Sequence, residues 1–310
     1  MEHKHGKIDL STGGGLAAIV LWSTTIAVAR SLSERLGPLT AGACVYLAGG
    51  LLCLLPLSWR GASRRQLLRL SWRYVLGCGS LFVLYTVLIY LAIGSASDRQ
   101  QVLEIGLVNY LWPALTILLS LVLLHQRASV LLIPGTVLAL AGEFLVLTHG
   151  TAFSWDSSWG HLQANPTAYA FAFVAAFSWA LYSTLARRWS QPGTDGAVAL
   201  FILAAGLALL VLRVFSTETP IWSLRAVGEA VVLATFTVLA YAFWDAAMRK
   251  GDLLLVVACS YFTPLLSTFV SCAYLRVTPG WRLWVGCVVL VMGSLLTWVS
   301  VSDRSGRRAT

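Results

Sequence analysis

The stretch Glu104-Ile-Gly-Leu-Val-Asn109-Tyr110-Leu-Trp112-Pro113 gathers polar and aromatic groups into one apolar run, Gln101 to Leu124, of about 24 residues, long enough to cross a bilayer as a helix. Asn109 and Trp112 stand three apart and share a helix face. Pro113 removes a backbone donor and bends the helix near its middle, as a hinge or as a static kink. An amide and an indole at that depth are costly against lipid. They either line an enclosed cavity, where the amide hydrogen-bonds and the indole stacks, or close a packed helix interface. Three acids also fall within apolar runs. Glu104 lies one turn from one end of its run, Glu143 near an end, and Asp245 a turn from an end. Glu104 is the candidate coupling acid for a proton-driven carrier, with an interfacial or helix-capping role as the alternative. None of the three is central, which favours transport driven by the substrate's own gradient.

Other chemistry finds no residues. The sequence contains no His-Glu-x-x-His and no Gly-x-Ser-x-Gly. His3, His5, His125, His149 and His161 fall in tails or near span ends. Gly13-Gly14-Gly15 lacks the Lys-Ser/Thr of a phosphate loop, and no nucleotide-binding domain is present. Cys44, Cys53, Cys78, Cys259, Cys272 and Cys287 lie in apolar runs without metal-ligand spacing and read as reduced packing residues. The expectation is a protein that is not an enzyme and needs no cofactor or metal.

The elements that position these residues are membrane helices. The chain is 58% hydrophobic and 11% charged, with mean hydropathy +0.77, against about a quarter charged in soluble domains. Its cations lie between apolar runs and form no basic face for nucleic acid. Ten spans are expected, near 14–31, 38–58, 73–94, 101–124, 129–148, 167–187, 196–215, 228–248, 252–275 and 281–301. The first, with Lys4, Lys7 and Ala27-Val28-Ala29, also resembles a cleavable leader; the repeat below argues for a retained helix. Placing both termini in the cytoplasm puts fifteen Lys and Arg on the inner side, including Arg60, Arg64, Arg65, Arg69, Arg307 and Arg308, and seven on the outer, including Arg276. Tryptophans 59, 72, 155, 159, 189, 222, 281, 284 and 298 near span ends form an interfacial belt.

The halves repeat. A shift of 157 pairs Trp22 with Trp179, Arg30 with Arg187 and Gly49 with Gly206; a shift of 151 pairs Tyr90 with Tyr241, Tyr110 with Tyr261, Pro113 with Pro264, Gly135 with Gly286 and Gly142 with Gly293. Five helices per unit is an odd number, so the second unit runs inverted, as in secondary transporters with a midplane site. The fold expected is therefore an all-α integral membrane protein of ten transmembrane helices in two inverted five-helix repeats around a central cavity. Its parts are a cytoplasmic tail 1–13, a first repeat 14–148, an outer linker 149–166, a second repeat 167–301 and a cytoplasmic tail 302–310.

The candidate substrate-binding residues are Trp22, Tyr85, Tyr90, Asn109, Tyr110, Trp112, Trp179, Tyr182, Tyr241, Trp244 and Tyr261, with Pro113 and Pro264 as hinges. Tyr182 follows Trp179 on one face; Thr237, Tyr241, Trp244 and Asp245 make a helical stripe. Such rings suit a flat apolar or cationic ligand, although any one tyrosine could simply pack between helices. In an unbent helix Tyr110 points away from Trp112. Gly135, Ala139, Gly142, Gly286 and Gly293 give spans 5 and 10 small faces for scaffold or homodimer contact.

Ten spans in two inverted units resemble the EamA-type exporters of the drug/metabolite transporter superfamily, across residues 14–301. The sharper match is Asn109-Tyr110-Leu111-Trp112-Pro113-Ala114-Leu115-Thr116, which is similar to the fourth helix of the superfamily's aromatic amino-acid exporters. The resemblance implies a basket of spans 1–4 and 6–9 around an aromatic cavity, with 5 and 10 outside. It implicates Tyr110 and Trp112 through the motif and Trp179 through the repeat. It implies export of Phe, Tyr and Trp across a bacterial inner membrane, with tolerance of planar cations such as methyl viologen. A broad multidrug or quaternary-cation exporter is the alternative within the superfamily. A membrane enzyme acting on lipid or prenyl substrates and a nucleotide-sugar carrier are weaker, lacking catalytic residues and cavity cations respectively.

Overall fold

The computed structural model describes residues 9–59, 71–148, 153–190, 197–275 and 280–306. Among them every regular element is a helix. In order these are α1 (Leu10–Leu36), α2 (Pro38–Trp59), α3 (Tyr74–Gly94), α4 (Arg99–Asn109), α5 (Trp112–Leu123), α6 (Leu132–Leu147), α7 (Trp155–Ala164), α8 (Pro166–Trp189), α9 (Ala197–Val214), α10 (Leu224–Lys250), α11 (Leu253–Ser260), α12 (Thr263–Leu275) and α13 (Trp281–Gly306). Six spans are long and apolar enough to cross a membrane, one of them α4 with α5. The number becomes eight if two bent helix pairs, Leu10–Thr25 with Val28–Leu36 and Leu253–Ser260 with Thr263–Val270, each count as one span. Pro38–Leu54 and α6 are shorter apolar helices. Large apolar side chains face outward along the bundle, among them Leu52, Leu118, Val137, Phe173, Val211, Val232 and Val288. Buried hydroxyls turn back onto their own helices, as Thr116 Oγ1 does to the Trp112 carbonyl at 2.7 Å and Ser23 Oγ to the Ile19 carbonyl at 2.7 Å. An apolar exterior over helices that bond their own backbone groups is what a bilayer requires; the chain is a multi-pass membrane protein.

Several helices overrun the apolar windows. The first was expected at 14–31 but starts at Leu10, where the Asp9 carboxylate accepts from the Ser11 and Thr12 amides at 2.9 and 3.0 Å. That capping holds the Asp9 carboxyl below the usual carboxylate range, chiefly through the Thr12 hydroxyl. The helix ends at Gly37, whose φ of 84° suits glycine. Hydropathy registers apolar content and misses these polar ends. The stretch expected as a linker loop, 149–166, contains α7, capped by Ser154. Lys4, Lys7, Arg60, Arg64, Arg65, Arg69, Arg276, Arg307, Arg308, His3, His5 and His149 lie outside the described residues. Trp72, Trp155, Trp159, Trp222, Trp281 and Trp284 are exposed, as a belt should be.

Packing follows the small residues. A Cβ on Gly50 would come within 2.8 Å of Leu203 Cα and one on Gly206 within 2.7 Å of Leu47 N, so α2 and α9 cross almost backbone to backbone. On α6 and α13, Gly135 abuts Thr297, Gly142 Leu290, Gly286 Leu145 and Gly293 Ala139. The glycine faces of spans 5 and 10 thus close on each other within one chain. Of the two expectations for these faces, scaffold or homodimer contact, the packing within the chain is the scaffold one, and the small-residue stripe is already covered. Elsewhere α1 packs on α10 and α12, and α3 and α5 pack on α8.

Two helices break in the same way. Leu111 N donates to Val108 O at 3.2 Å and Phe262 N to Cys259 O at 3.0 Å, a tightened turn before Pro113 and Pro264 respectively. Proline supplies no N–H at the fourth position. The expected bend in a continuous span is therefore an interruption, placed at Tyr110–Leu111 and Tyr261–Phe262.

Candidate functional site: an aromatic cavity between the broken helices

The break after Asn109 turns the chain enough to bring Asn109, Tyr110 and Trp112 to one cavity. Tyr110, which an unbent helix would have pointed away from Trp112, lines the cavity with it, as its place among the candidates required. The cavity measures about 210 Å³, lined by Trp22, Thr25, Ala29, Tyr85, Asn109, Tyr110, Trp112, Trp179, Tyr241 and Thr263. A second cavity of about 150 Å³ shares Trp22, Thr25, Ala29 and Tyr241 and continues past Ser33, Tyr46, Tyr90 and Thr237. The two run toward the end of the bundle where α1 finishes and α10 begins.

Trp179 is the hub of the wall. Its ring centroid lies 4.8 Å from Tyr85, 5.6 Å from Tyr241, 5.9 Å edge-on from Trp22 and 6.3 Å edge-on from Trp112. These spacings fall in the range where quadrupoles favour edge and tilted contacts. Trp244 stacks on Trp179 at 5.9 Å and is wholly buried, its Nε1 donating to Ser183 Oγ at 3.1 Å. Trp244 is therefore floor and not lining. Tyr182 lies lower still, its hydroxyl donating to Asp245 Oδ1 at 3.0 Å. The Tyr74 hydroxyl donates to the same oxygen and Arg249 Nε to Oδ2 at 2.7 Å. A π turn at Tyr74–Cys78 opens α3 and carries Tyr74. Arg187 seals the same end, donating to the Met248 carbonyl at 2.7 Å and to the Gly251 carbonyl. A cation there meets the negative end of the α10 dipole.

Tyr261 does not join the cavity. It is buried against α6 and α13. Glu104 does not join it either. Its carboxylate accepts from Ser158 Oγ at 2.6 Å, Gln100 Nε2 at 2.8 Å and the Tyr169 hydroxyl. His161 bridges it at 3.2 Å to Asp98 at 3.0 Å. The acid singled out for coupling instead clasps α4 to α7 and α8. The Asp98 carboxyl, capping α4, is held below the usual range first by the Gln101 amide and then by His161.

Sequence reasoning missed Thr25 and Thr263, since threonines in apolar helices usually bond their own backbone. It also missed Tyr46, whose hydroxyl meets that of Tyr241 at 2.6 Å. The polar wall is specific. Asn109 Oδ1 and Thr263 Oγ1 are buried with no hydrogen-bond partner, and no charged side chain lines the cavity among the described residues. Such a site holds a flat apolar group on its rings, with Asn109, whose Oδ1 has no partner, among its lining residues.

Among the described residues a helical bundle with an apolar exterior, two broken helices and a cavity walled by aromatic rings has the architecture of a membrane carrier. The chain belongs to the EamA-like transporter family, which it matches over residues 13–148 and again over 166–299. It is 34% identical over 292 residues to "Aromatic amino acid exporter YddG" of Salmonella typhimurium, covering 94% of this chain and 97% of that one. It is 33% identical to the Escherichia coli protein of that name, over 92% of this chain and 96% of the other, and 30% identical to that of Ancylobacter novellus, over 90% and 94%. One solved crystal structure superposes with a TM-score of 0.78 at 27% identity, covering 96% of this chain and all of the other.

Proposed function

We propose that this carrier exports aromatic amino acids across a bacterial inner membrane by alternating access between two inverted five-helix repeats. The observation that carries the substrate is the uncharged aromatic cavity that Asn109, its Oδ1 unpartnered, helps to line. The ring of Phe, Tyr or Trp stacks among Trp22, Trp112 and Trp179. Asn109 Oδ1 accepts from the ammonium, and Thr263 takes part at the carboxylate. A zwitterion brings no net charge, so a cavity without ions tolerates it. The relatives' names point to the same substrates.

The repeat reading is supported by the family matching each half separately and by breaks related by the shift of 151: Val108–Leu111 and Cys259–Phe262. Helix pairing obeys the same exchange, α1 on α10 answering α3 on α8. Counting the bent pairs and the two shorter helices as spans then gives ten, in repeats 14–148 and 167–301. With both termini in the cytoplasm, the open end of the cavities faces outward and the Asp245 floor inward. Pro113 and Pro264 are the hinges.

The test is counterflow in proteoliposomes preloaded with unlabelled tryptophan, with labelled tryptophan outside. Competition by phenylalanine and none by lysine is the expected result. No tryptophan counterflow from folded protein, or competition only by methyl viologen, transfers the chain to cation export.

A further inference from the structure

One buried carboxylate is used by neither the cavity nor a clasp. Glu143 on α6 is 1% exposed, and its Oε1 has no hydrogen-bond partner. The other acids buried in the helices are engaged, Glu104 by hydroxyls, an amide and His161, Asp245 by Arg249 and two phenols. No cation pairs with Glu143 among the described residues. The groups close enough to act on it electrostatically are the Tyr110 and Tyr261 phenols. From α13, Cys287 shares the cluster of Tyr261; Arg282 stands about one and a half turns nearer the start of that helix, over Trp281. From α4, Glu104 and Asp98 are turned to α7. A bare carboxylate in such a place is strongly disfavoured; a carboxylic acid is not.

Its position gives the proton a use. Tyr110 and Tyr261 are the residues at the two helix breaks, and α6 touches both α4 and α12. The shift of 151 that pairs those tyrosines also pairs Glu143 with Ser294, whose Oγ donates at 2.7 Å to the Ala258 carbonyl in α11, just before the second break. A protonated Glu143 has the same capacity to donate to α4 before the first break. An ionised one has none.

We propose that Glu143 is a proton-binding site of the carrier. It takes a proton from hydronium, forming an O–H bond and leaving water, when α4 and α5 close over it, and returns the proton to water when the break opens. Its occupancy therefore sets the stability of the first break and couples transport to the pH gradient. The inference rests on the carrier reading above.

Wild type and Glu143→Gln are compared in proteoliposomes with tryptophan as probe. With one coupled proton, a gradient of one pH unit sustains about a tenfold tryptophan gradient in wild type. Glu143→Gln keeps counterflow at equal pH within about twofold and loses the response. Counterflow in wild type that ignores the pH gradient overturns the proton site and leaves the carrier reading standing. Absent tryptophan counterflow in wild type overturns the carrier reading instead. Infrared spectra of purified protein then decide the site. A carbonyl stretch of a protonated carboxylic acid at neutral pH, missing in Glu143→Gln and displaced in Glu143→Asp, supports it, and wild type without that band overturns it.

Discussion

Trp112 and Asn109 face the same cavity but contribute different things to a bound amino acid. Trp112 is 6% exposed and meets Trp179 and Trp244 edge-on. Trp112→Ala removes one ring partner, worth roughly 0.5–1.5 kcal/mol beyond area burial, so tryptophan binding weakens about 2- to 10-fold, read by calorimetry. A folded Trp112→Ala that binds tryptophan normally removes the stacking role. Asn109→Leu keeps the volume and deletes the acceptor. A hydrogen bond to a charged group is worth about 1.5–3 kcal/mol, so tryptophan should suffer about 10- to 100-fold while indole binding stays unchanged. Equal losses for both ligands would mean that Asn109 acts by packing. The aromatic residues were legible because rings at paired positions stand out in apolar helices. Tyr110 was legible through the motif and not through helix geometry, because its direction depends on a break that a straight-helix projection omits. Tyr261 shows the converse failure: its pairing with Tyr110 is real in sequence, yet it packs against α6 and α13.

At the scale of the helix, what closes the floor differs from what holds the scaffold. Asp245 and Arg249 are 3% and 4% exposed and lie one turn apart on α10, reached by Tyr74 from α3 and Tyr182 from α8. Asp245→Asn takes the charge away from the carboxylate on which Arg249 Nε and the Tyr74 and Tyr182 phenols converge, and loosens the floor. The fully buried Cys78, one π turn from Tyr74, should then react with maleimide in a variant lacking the other cysteines. Protection unchanged in Asp245→Asn would show the floor to be held by rings alone. At the opposite end, His161→Ala should free α7 from Asp98, leave it on Glu104 through Ser158 alone, and speed hydrogen exchange across 155–164. The lowered Asp98 pKa fixes the sign of the pH effect there. Its contribution is full above the ordinary carboxylate range and fades as pH falls through the lowered value, so the same exchange should quicken in acid. Apolar run lengths foretold the spans, but α7 was invisible to them. Its ten residues are half polar, and the reason for a helix there is a Ser154 cap together with the Glu104 clasp, a contact across 54 positions of sequence.

For the molecule as a whole, the proposed inverted-repeat reading makes a difference in conformation between the two halves the thing that transport exchanges. Arg30 and Arg187 are paired by the shift of 157. Arg187 reaches from α8 across the end of α10 and binds the carbonyls of Met248, Ala247 and Gly251. Arg30 makes no such reach. Its side chain is 60% exposed and pairs with Glu34 on its own helix at 2.9 Å, an interaction worth little in water. The carbonyls that answer those held by Arg187 belong to the end of α3 and the turn after it, around Ala96 and Ser97. If the halves trade conformations, Arg30 seals the end of α3 as Arg187 now seals α10, and Arg187 lets go. The two arginines should therefore shift the same equilibrium in opposite directions. With cysteine placed at Ala186, now wholly buried beside the floor, Arg187→Ala should raise labelling from the cytoplasmic side, and Arg30→Ala should lower it. Saturating tryptophan should increase the labelling of the otherwise unaltered protein. Tm should fall with Arg187→Ala, which removes contacts made in the state described, and stay within about 1 °C with Arg30→Ala, which removes an exposed pair. Equal effects of the two substitutions on labelling would show that the halves do not exchange, and the cavity would then be a binding site with a single opening.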